Sequence, residues 1–530
     1  MNVQQGSEMV NAARRRRPLR WRYRLARLPV WLMVLGATAG MPALAAGDAD
    51  LGEEIYTQRC MLCHGEEGDG MGPAAERLNP PPRDFTMAQY KIRTTRVDEI
   101  APADADLVRM IHDGMPGTAM PGWSDVLSDA DIQDLTAFLK TLAGLEEEAP
   151  GQVIDYGTQV PVSPESIAQG RELFHEDDRC SECHGQAGKG DAVKKLKDDS
   201  GYRTWPRNLT KPWTFRGSND PRDIFARITT GIAGTQMPSF DDPDSEGRLS
   251  IEQRWHLANY VNSLEKTEKV VRPENTVIRA LRLPGAVPTE PDDPLWQQAL
   301  PSTFMLVPQL IAGERFFTPA NDTITIRAMY SEEEIGFHLE WDDRTRSIPG
   351  EEAAEKIADP GISEDRVAIQ LPVALTAGAE KPYFLHGDSR HPVNLWFWRS
   401  GSAERPAGVS LVTARGIADR DTRDAAEAGL TGKGSYQDGS WQVVLRRPLM
   451  TADLSQDLEF HEGTFIPVAF SVWDGSNSES DSAHTLTTWY WLLLKPPPGN
   501  APWLFAGLAF VLMLLGEVWW ARTAQRRQRS

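Results

Sequence analysis

The sequence predicts a multidomain protein: two all-α domains, then one β-sandwich, then one C-terminal transmembrane helix. Three observations predict it. A block of residues recurs between 50 and 265, with apolar positions at helical spacing. After residue 300, short alternating runs rich in Val, Ile, Phe and Trp take over, separated by Gly, Asp and Asn. Near the end, Pro502 to Ala521 is a single apolar stretch that as a helix spans about 30 Å, one bilayer core. The chain has 530 residues, 40% hydrophobic and 25% charged, which is ordinary globular composition with room for several domains.

Residues 1–46 read as a signal peptide. Arg14 to Arg27 supply the basic region, Leu28 to Ala39 the apolar stretch, and Ala43-Leu44-Ala45 an A-x-A cleavage site. This segment carries a net +7 and the tail 522–530 a net +4, against −19 for the whole chain, so the body between them stands at −30. A body that acidic repels nucleic acid and anionic lipid. It suits a basic partner, such as a small positively charged cytochrome.

The first helical unit spans 47–145 and the second 165–266. The linker between them, 146–164, is acidic and then rich in Pro, Gly and Val. Gly52-Glu-Glu-Ile-Tyr matches Gly170-Arg-Glu-Leu-Phe, and Pro82-Arg83-Asp84-Phe85-Thr86 matches Pro206-Arg207-Asn208-Leu209-Thr210. The stretch from Gly114 to Met120-Pro121 matches that from Gly231 to Met237-Pro238. Each unit closes on a helix opened by a capping pattern, Ser128-x-x-Asp131 and Ser250-x-x-Gln253. Ile132, Leu135, Phe138, Leu139 and Leu142 then form one apolar stripe, and Leu257, Tyr260, Val261 and Leu264 the other.

All four cysteines lie in two runs, Cys60-Met61-Leu62-Cys63-His64 and Cys180-Ser181-Glu182-Cys183-His184. C-x-x-C-H is the attachment signature of a c-type haem: each thiol adds to a vinyl group and the histidine ligates the iron. No cysteine remains for a disulfide, a zinc site or a nucleophile. Two covalent haems c are therefore expected, on Cys60 and Cys63 and on Cys180 and Cys183, with His64 and His184 on the irons. Met120 and Met237, each before a proline, are the expected sixth ligands; thioether sulfur stabilises ferrous iron. Met115 competes with Met120, but its counterpart in the second repeat is Ile232. The arrangement resembles class I cytochromes c over about 50–145 and 165–265. Arg83 and Arg207 are candidate contacts to haem propionates.

The third domain is expected at 267–495, entered through a proline-containing segment, 266–292, with little periodicity. Strand-like runs at 323–330, 335–341, 366–372, 393–399, 408–414, 441–447, 464–473 and 485–494 suggest a β-sandwich. Within it, Lys381-Pro-Tyr-Phe-Leu-His386-Gly-Asp, Val472-Trp-Asp-Gly-Ser-Asn477 and His484-Thr-Leu-Thr-Thr-Trp489 resemble the gamma subunits of ethylbenzene dehydrogenase, dimethylsulfide dehydrogenase, and selenate and chlorate reductases. The resemblance covers about 275–495. It implies a sandwich holding one non-covalent haem b beside a molybdenum enzyme. That family holds its haem with a methionine before Gly-Asp and a lysine after the Asp-Gly-Ser-Asn loop. His386 and His484 stand at those places here. Two imidazoles would keep the iron six-coordinate and, with the thioether gone, lower its potential. His391 offers a different register in the same loop.

Residues 496–501 form a stiff Pro-rich linker, 502–521 the transmembrane helix, and 522–530 a basic tail. Glu517 is the only charge in the helix, beside Trp519 and Trp520, which suit an interface. The positive-inside rule places the tail in the cytoplasm and the bulk of the chain in the periplasm, anchored to a bacterial inner membrane. The expected work is electron relay by a triheme chain. Its partners would be a periplasmic molybdenum oxidoreductase or quinol-oxidising complex on one side, and a soluble c-type cytochrome or an oxidase on the other. Two other classes stay open: a haem enzyme with an open iron acting on a small inorganic substrate, and a redox or ligand sensor or docking module with an empty sandwich. No nucleophile triad, phosphate loop, iron–sulfur cysteine set or molybdenum-binding signature is visible.

Overall fold

The computed structural model describes residues 47–527, apart from 79, 97, 117, 150, 200, 266–276, 313–317, 349, 359–360, 377–379, 403–404 and 497–500. The predicted signal peptide lies outside the described residues. The first helical domain contains α1 (Ala49–Arg59), α2 (Met61–His64), α3 (Asp104–Asp113) and α4 (Asp129–Leu142). The second repeats the order with α5 (Pro164–His175), α6 (Ser181–His184), α7 (Pro221–Thr230) and α8 (Ile251–Ser263).

Both predicted capping boxes form. The Ser128 hydroxyl accepts the Asp131 N–H while the Asp131 carboxylate accepts the Ser128 N–H, and Ser250 and Gln253 do the same for α8. In each domain the first and last helices cross at a glycine. A Cβ on Gly52 would strike the Asp134 carbonyl oxygen of α4, and one on Gly170 the His256 carbonyl oxygen of α8. The stripes predicted from spacing meet there: Tyr56, Ile132, Leu135 and Leu139 pack in the first core, and Phe174, Trp255, Leu257 and Val261 in the second.

The segment 146–164 is not a free linker. Val153 bridges to Thr95 of the first domain, and Ile154 is buried in the second core. The Trp255 indole N–H donates to the Tyr156 carbonyl at 2.8 Å, and Asn259 to that of Val160 at 3.1 Å. Satisfying these buried donors straps the segment down. Arg109 adds a two-pronged pair to Asp223, both arms at 2.7 Å, and Arg227 donates to the Lys91 carbonyl at 3.0 Å.

The third domain contains fourteen described strands. They are β1 (Val277–Arg282), β2 (Ser302–Met305), β3 (Val307–Pro308), β4 (Thr323–Tyr330), β5 (Glu334–Asp342), β6 (Arg366–Pro372) and β7 (Val393–Arg399), followed by β8 (Gly408–Ala414), β9 (Arg420–Arg423), β10 (Thr431–Gln437), β11 (Ser440–Pro448), β12 (Phe465–Trp473), β13 (Thr485–Leu486) and β14 (Tyr490–Leu494). Eleven of them run in the order β10-β11-β5-β4-β1-β14-β12-β6-β7-β8-β9, with β2 paired to β4 and β13 paired to β12 and β3. The ribbon folds back on itself at β1 and β14. Ile326, Phe337 and Val443 of one arm then pack against Ile369, Trp396 and Phe470 of the other, which is the predicted two-layer sandwich.

Three expectations need correcting. The entry segment 266–292 contains β1, which pairs in parallel with both β4 and β14. Only Ile278 and Ala280 of that strand are buried, too short an alternation to stand out. The run 485–494 is two strands, because its pairing with β12 is interrupted at 487–489, where three residues stand opposite Ala469 and Phe470. β10 (Thr-Gly-Lys-Gly-Ser-Tyr-Gln) lies at one end of the ribbon with no apolar signal.

A short helix, α9 (Glu352–Ile357), lies between β5 and β6, and the terminal helix, α10 (Ala501–Arg527), continues past the predicted end at 521. With a mean hydropathy of 1.9 over its best window, it is the one helix among the described residues long and apolar enough to cross a membrane.

Candidate haem centres

The two C-x-x-C-H runs fold alike. Each occupies a one-turn helix, α2 or α6, ended by a glycine at positive φ, Gly65 (+84°) or Gly185 (+76°), which turns the chain away after the histidine. His64 Nδ1 lies 3.0 Å from the Arg83 carbonyl oxygen, and His184 Nδ1 3.0 Å from that of Arg207. A carbonyl only accepts, so each Nδ1 carries the proton and each Nε2 keeps its lone pair for a metal. Burial lowers both imidazole pKa values, which keeps the rings neutral. Phe85 stacks on His64 with ring centroids 4.6 Å apart. None of the four cysteines is in a disulfide, and burial pushes the Cys60 and Cys180 thiols up to about 12. Paired thiols beside a bare imidazole nitrogen fit a covalently attached haem.

Met120 and Met237 sit in superposable turns. The Met115 N–H donates to the Met120 carbonyl at 3.0 Å, as the Ile232 N–H does to Met237 at 3.1 Å. The Met120 N–H reaches the Thr118 hydroxyl at 3.1 Å, and the Met237 N–H that of Thr235 at 3.2 Å. Met115 therefore occupies the place of Ile232, and Met120 that of Met237. Arg83 and Arg207, the candidate propionate contacts, also orient the two histidines. Both arginines act through their main-chain carbonyls, and the Arg207 guanidinium is paired with Asp322 of the sandwich. The sequence signal was present, since Pro-Arg recurs at the same place in both repeats.

In the sandwich, His386 and His484 come from separate loops, one between β6 and β7, the other just before β13. Their ring centroids lie 5.3 Å apart and their planes within 9° of parallel. Both side chains are fully buried, and neither Nε2 has a partner among the described residues. Burial first, with the other histidine and Arg420 adding, holds His386 well below the imidazole range; burial and Arg420 bring His484 down to about 3. Two neutral imidazoles from separate loops, each with an orphaned Nε2, fit a pair of iron ligands.

The supports were not legible in the sequence. His386 sits at φ +61°, an uncommon conformation for a non-glycine residue. Gln370 of β6 braces that turn: its side-chain oxygen accepts the His386 N–H at 3.2 Å, and its amide donates to the Phe384 carbonyl at 3.0 Å. Trp473 stacks on His484 at 4.6 Å. Arg420 Nη2 lies 3.3 Å from His386 Nδ1. His391, the rival in register, lies 3.6 Å from Glu380 and 3.5 Å from Asp388.

The second helical domain is pinned to the sandwich through the same loop that orients His184. Beyond the Arg207–Asp322 pair, Asn208 Nδ2 donates to Asp342 at 2.7 Å and the Lys211 ammonium to the same oxygen at 2.6 Å. Arg203 donates to the Ile357 carbonyl at 2.7 Å and to Asn477 at 3.1 Å. Trp205 lies against Arg203 and Arg344, whose guanidiniums stand 4.3 and 4.4 Å from its ring centroid.

Comparison with known proteins finds matches in three parts of the chain. Residues 47–139 match the family described as cytochrome c oxidase, cbb3-type, subunit III, and 167–265 match cytochrome c. Residues 293–410 and 410–485 match ethylbenzene dehydrogenase. The chain is 31% identical over 195 residues to a protein of Haloferax mediterranei provisionally named respiratory nitrate reductase heme subunit, a span of 36% of this chain and 64% of that one. It thus covers just under two thirds of that relative. It is 27% identical to the chlorate reductase subunit gamma of Ideonella dechloratans, over 41% of this chain and 84% of the subunit. It is 32% identical to cytochrome c55X of Paracoccus denitrificans, over 22% of this chain and 94% of that protein.

Proposed function

Because this chain belongs to the c-type cytochromes, through two such domains in its N-terminal half, and carries a third domain of the ethylbenzene dehydrogenase family, we propose that it is a membrane-anchored electron relay serving an oxidoreductase partner. The haems such domains bind cycle between ferric and ferrous iron, one electron at a time. Cys60, Cys63 and His64, and Cys180, Cys183 and His184, hold two haems c, with Met120 and Met237 as sixth ligands. His386 and His484 hold a haem b.

The observation that carries the reading is the order of contact. The second helical domain touches both neighbours, through Arg109–Asp223 toward the first and through Arg207–Asp322 and Lys211–Asp342 toward the sandwich. The route therefore runs from sandwich to second domain to first. The sandwich is the end for the catalytic partner, because the relatives that match it include subunits named for chlorate and nitrate reductases. A molybdenum oxidoreductase or a quinol-oxidising complex fits that place. The first domain is the end for a soluble c-type cytochrome or an oxidase, and the acidic body would steer a basic carrier to it. The arginines at the end of α10, Arg522, Arg526 and Arg527, favour a cytoplasmic tail and a periplasmic body.

A pyridine haemochrome spectrum of the detergent-solubilised full chain tests this. About two haems c to one haem b is expected. Haem c alone would remove the sandwich from the relay.

A further inference from the structure

The sandwich holds a second cluster that the haem sites leave unused. Asp343 follows β5, Asp365 precedes β6 and Asp474 follows β12. One carboxylate oxygen from each lies within 4.8 Å of the other two, and the residues are 1%, 0% and 0% exposed. Glu479, equally buried, accepts the Asp474 N–H at 3.1 Å.

Protein donors satisfy only part of this group. Asp365 accepts the Gly475 N–H at 2.8 Å on one oxygen, and the Ser347 N–H at 2.7 Å and the Trp441 indole N–H at 2.9 Å on the other. Asp474 Oδ1 accepts from Ser476 N–H and hydroxyl at 2.9 and 2.7 Å. Asp343 Oδ2 and Asp474 Oδ2, by contrast, are buried and have no partner among the described residues. A buried carboxylate oxygen facing no donor is expensive in a low-dielectric interior. The charge is also short of balance. Arg344 is the cation pulling on both Asp343 and Asp474, and one guanidinium cannot offset four carboxylates.

We propose that Asp343, Asp365 and Asp474 bind one divalent cation of the calcium class. The donors are all hard oxygens, with no imidazole or thiolate among them, which disfavours zinc, copper and iron. Carboxylates from three separate segments suit calcium's flexible six-to-eight coordination better than magnesium's strict octahedron. The cation would work as a strut. It would tie the end of β5, where Asp342 receives Asn208 and Lys211 of the second helical domain, to the loop that runs from Asp474 to His484. The site stands independently of the haem assignment.

The competing arrangement is a set of shared protons. Burial, then repulsion from its neighbours, pushes Asp343 and Glu479 well above the carboxylate range and Asp365 up to about 7. Acids neutral when folded stabilise at low pH, and that stability is lost as pH rises through the raised values.

The test is metal analysis of the full-length, haem-loaded protein in detergent, exposed to CaCl2 and then freed of unbound ions. About one calcium per chain is expected. EGTA should remove it and lower the Tm by about 5 °C or more, reversed by CaCl2. Asp474→Asn should abolish binding; the wild type with and without EGTA decides the matter even where that variant fails to fold. A protein that retains no calcium, whose Tm ignores EGTA and whose stability instead falls as pH rises through about 7, overturns the proposal.

Discussion

Arg207 and Asp322 form an ion pair that joins the second helical domain to the sandwich, on the loop whose backbone carbonyl holds His184 Nδ1 at 3.0 Å. Docking and ligand orientation thus share one residue. The two acceptors at this boundary are not equal. The Arg207 and Asp322 side chains are 32% and 43% exposed, so Asp322→Asn should cost less than about 1 kcal/mol. Asp342 accepts both Lys211 and Asn208 on one oxygen. Asp342→Ala should cost about 1–3 kcal/mol, because it strands two donors. Urea unfolding of the two variants checks the ranking.

His386→Ala and His484→Ala should each lose the b-type haem and keep both haems c, read from the haemochrome spectrum. His386→Met should retain a six-coordinate iron and raise its midpoint potential, since sulfur favours the ferrous state. A spectroelectrochemical titration measures that shift. Haem b surviving both alanine variants would defeat the assignment.

The matched turns make Met120, not Met115, the partner of Met237. Met120→Ala should therefore lower the potential of the first haem c and give it a high-spin fraction, while Met115→Ala should leave it low-spin. Electron paramagnetic resonance distinguishes the two.

Gly52 and Gly170 stand where helices touch backbone to backbone. Alanine at either position forces the helices apart and should cost about 1–3 kcal/mol, in spite of alanine's better helix propensity. Thermal unfolding of the single and double variants should show similar losses, because the two domains repeat the same crossing.

Contact between the helical domains should weaken in acid. Burial works against the Asp223 carboxylate, but Arg109 and Ser218 hydrogen bonds prevail and hold its pKa below 3.8. A depressed folded pKa gives stability that is present above the unfolded value and lost as pH falls through the folded one. The domains should separate below about pH 4 in small-angle scattering. Asp223→Asn should loosen them already at neutral pH.

The sequence by itself determined whatever is written in contiguous residues. Cys60 to His64 and Cys180 to His184 are legible because haem attachment needs its thiols and imidazole within one helical turn. The capping boxes and the apolar stretch of α10 are legible for the same reason: a local pattern makes a local structure. His386 and His484 were legible only through resemblance, since nothing in either loop points to the other. The tertiary structure decided what depends on distant segments meeting. It set the parallel insertion of β1 between β4 and β14, whose two buried side chains carry too little periodicity to announce a strand. It made the Arg207 carbonyl the contact to His184 Nδ1 and paired its guanidinium with Asp322. It converged Asp343, Asp365 and Asp474 on one point. Burial and charge at such places are properties of the assembled interior, where a carboxylate or imidazole is solvated by residues far along the chain.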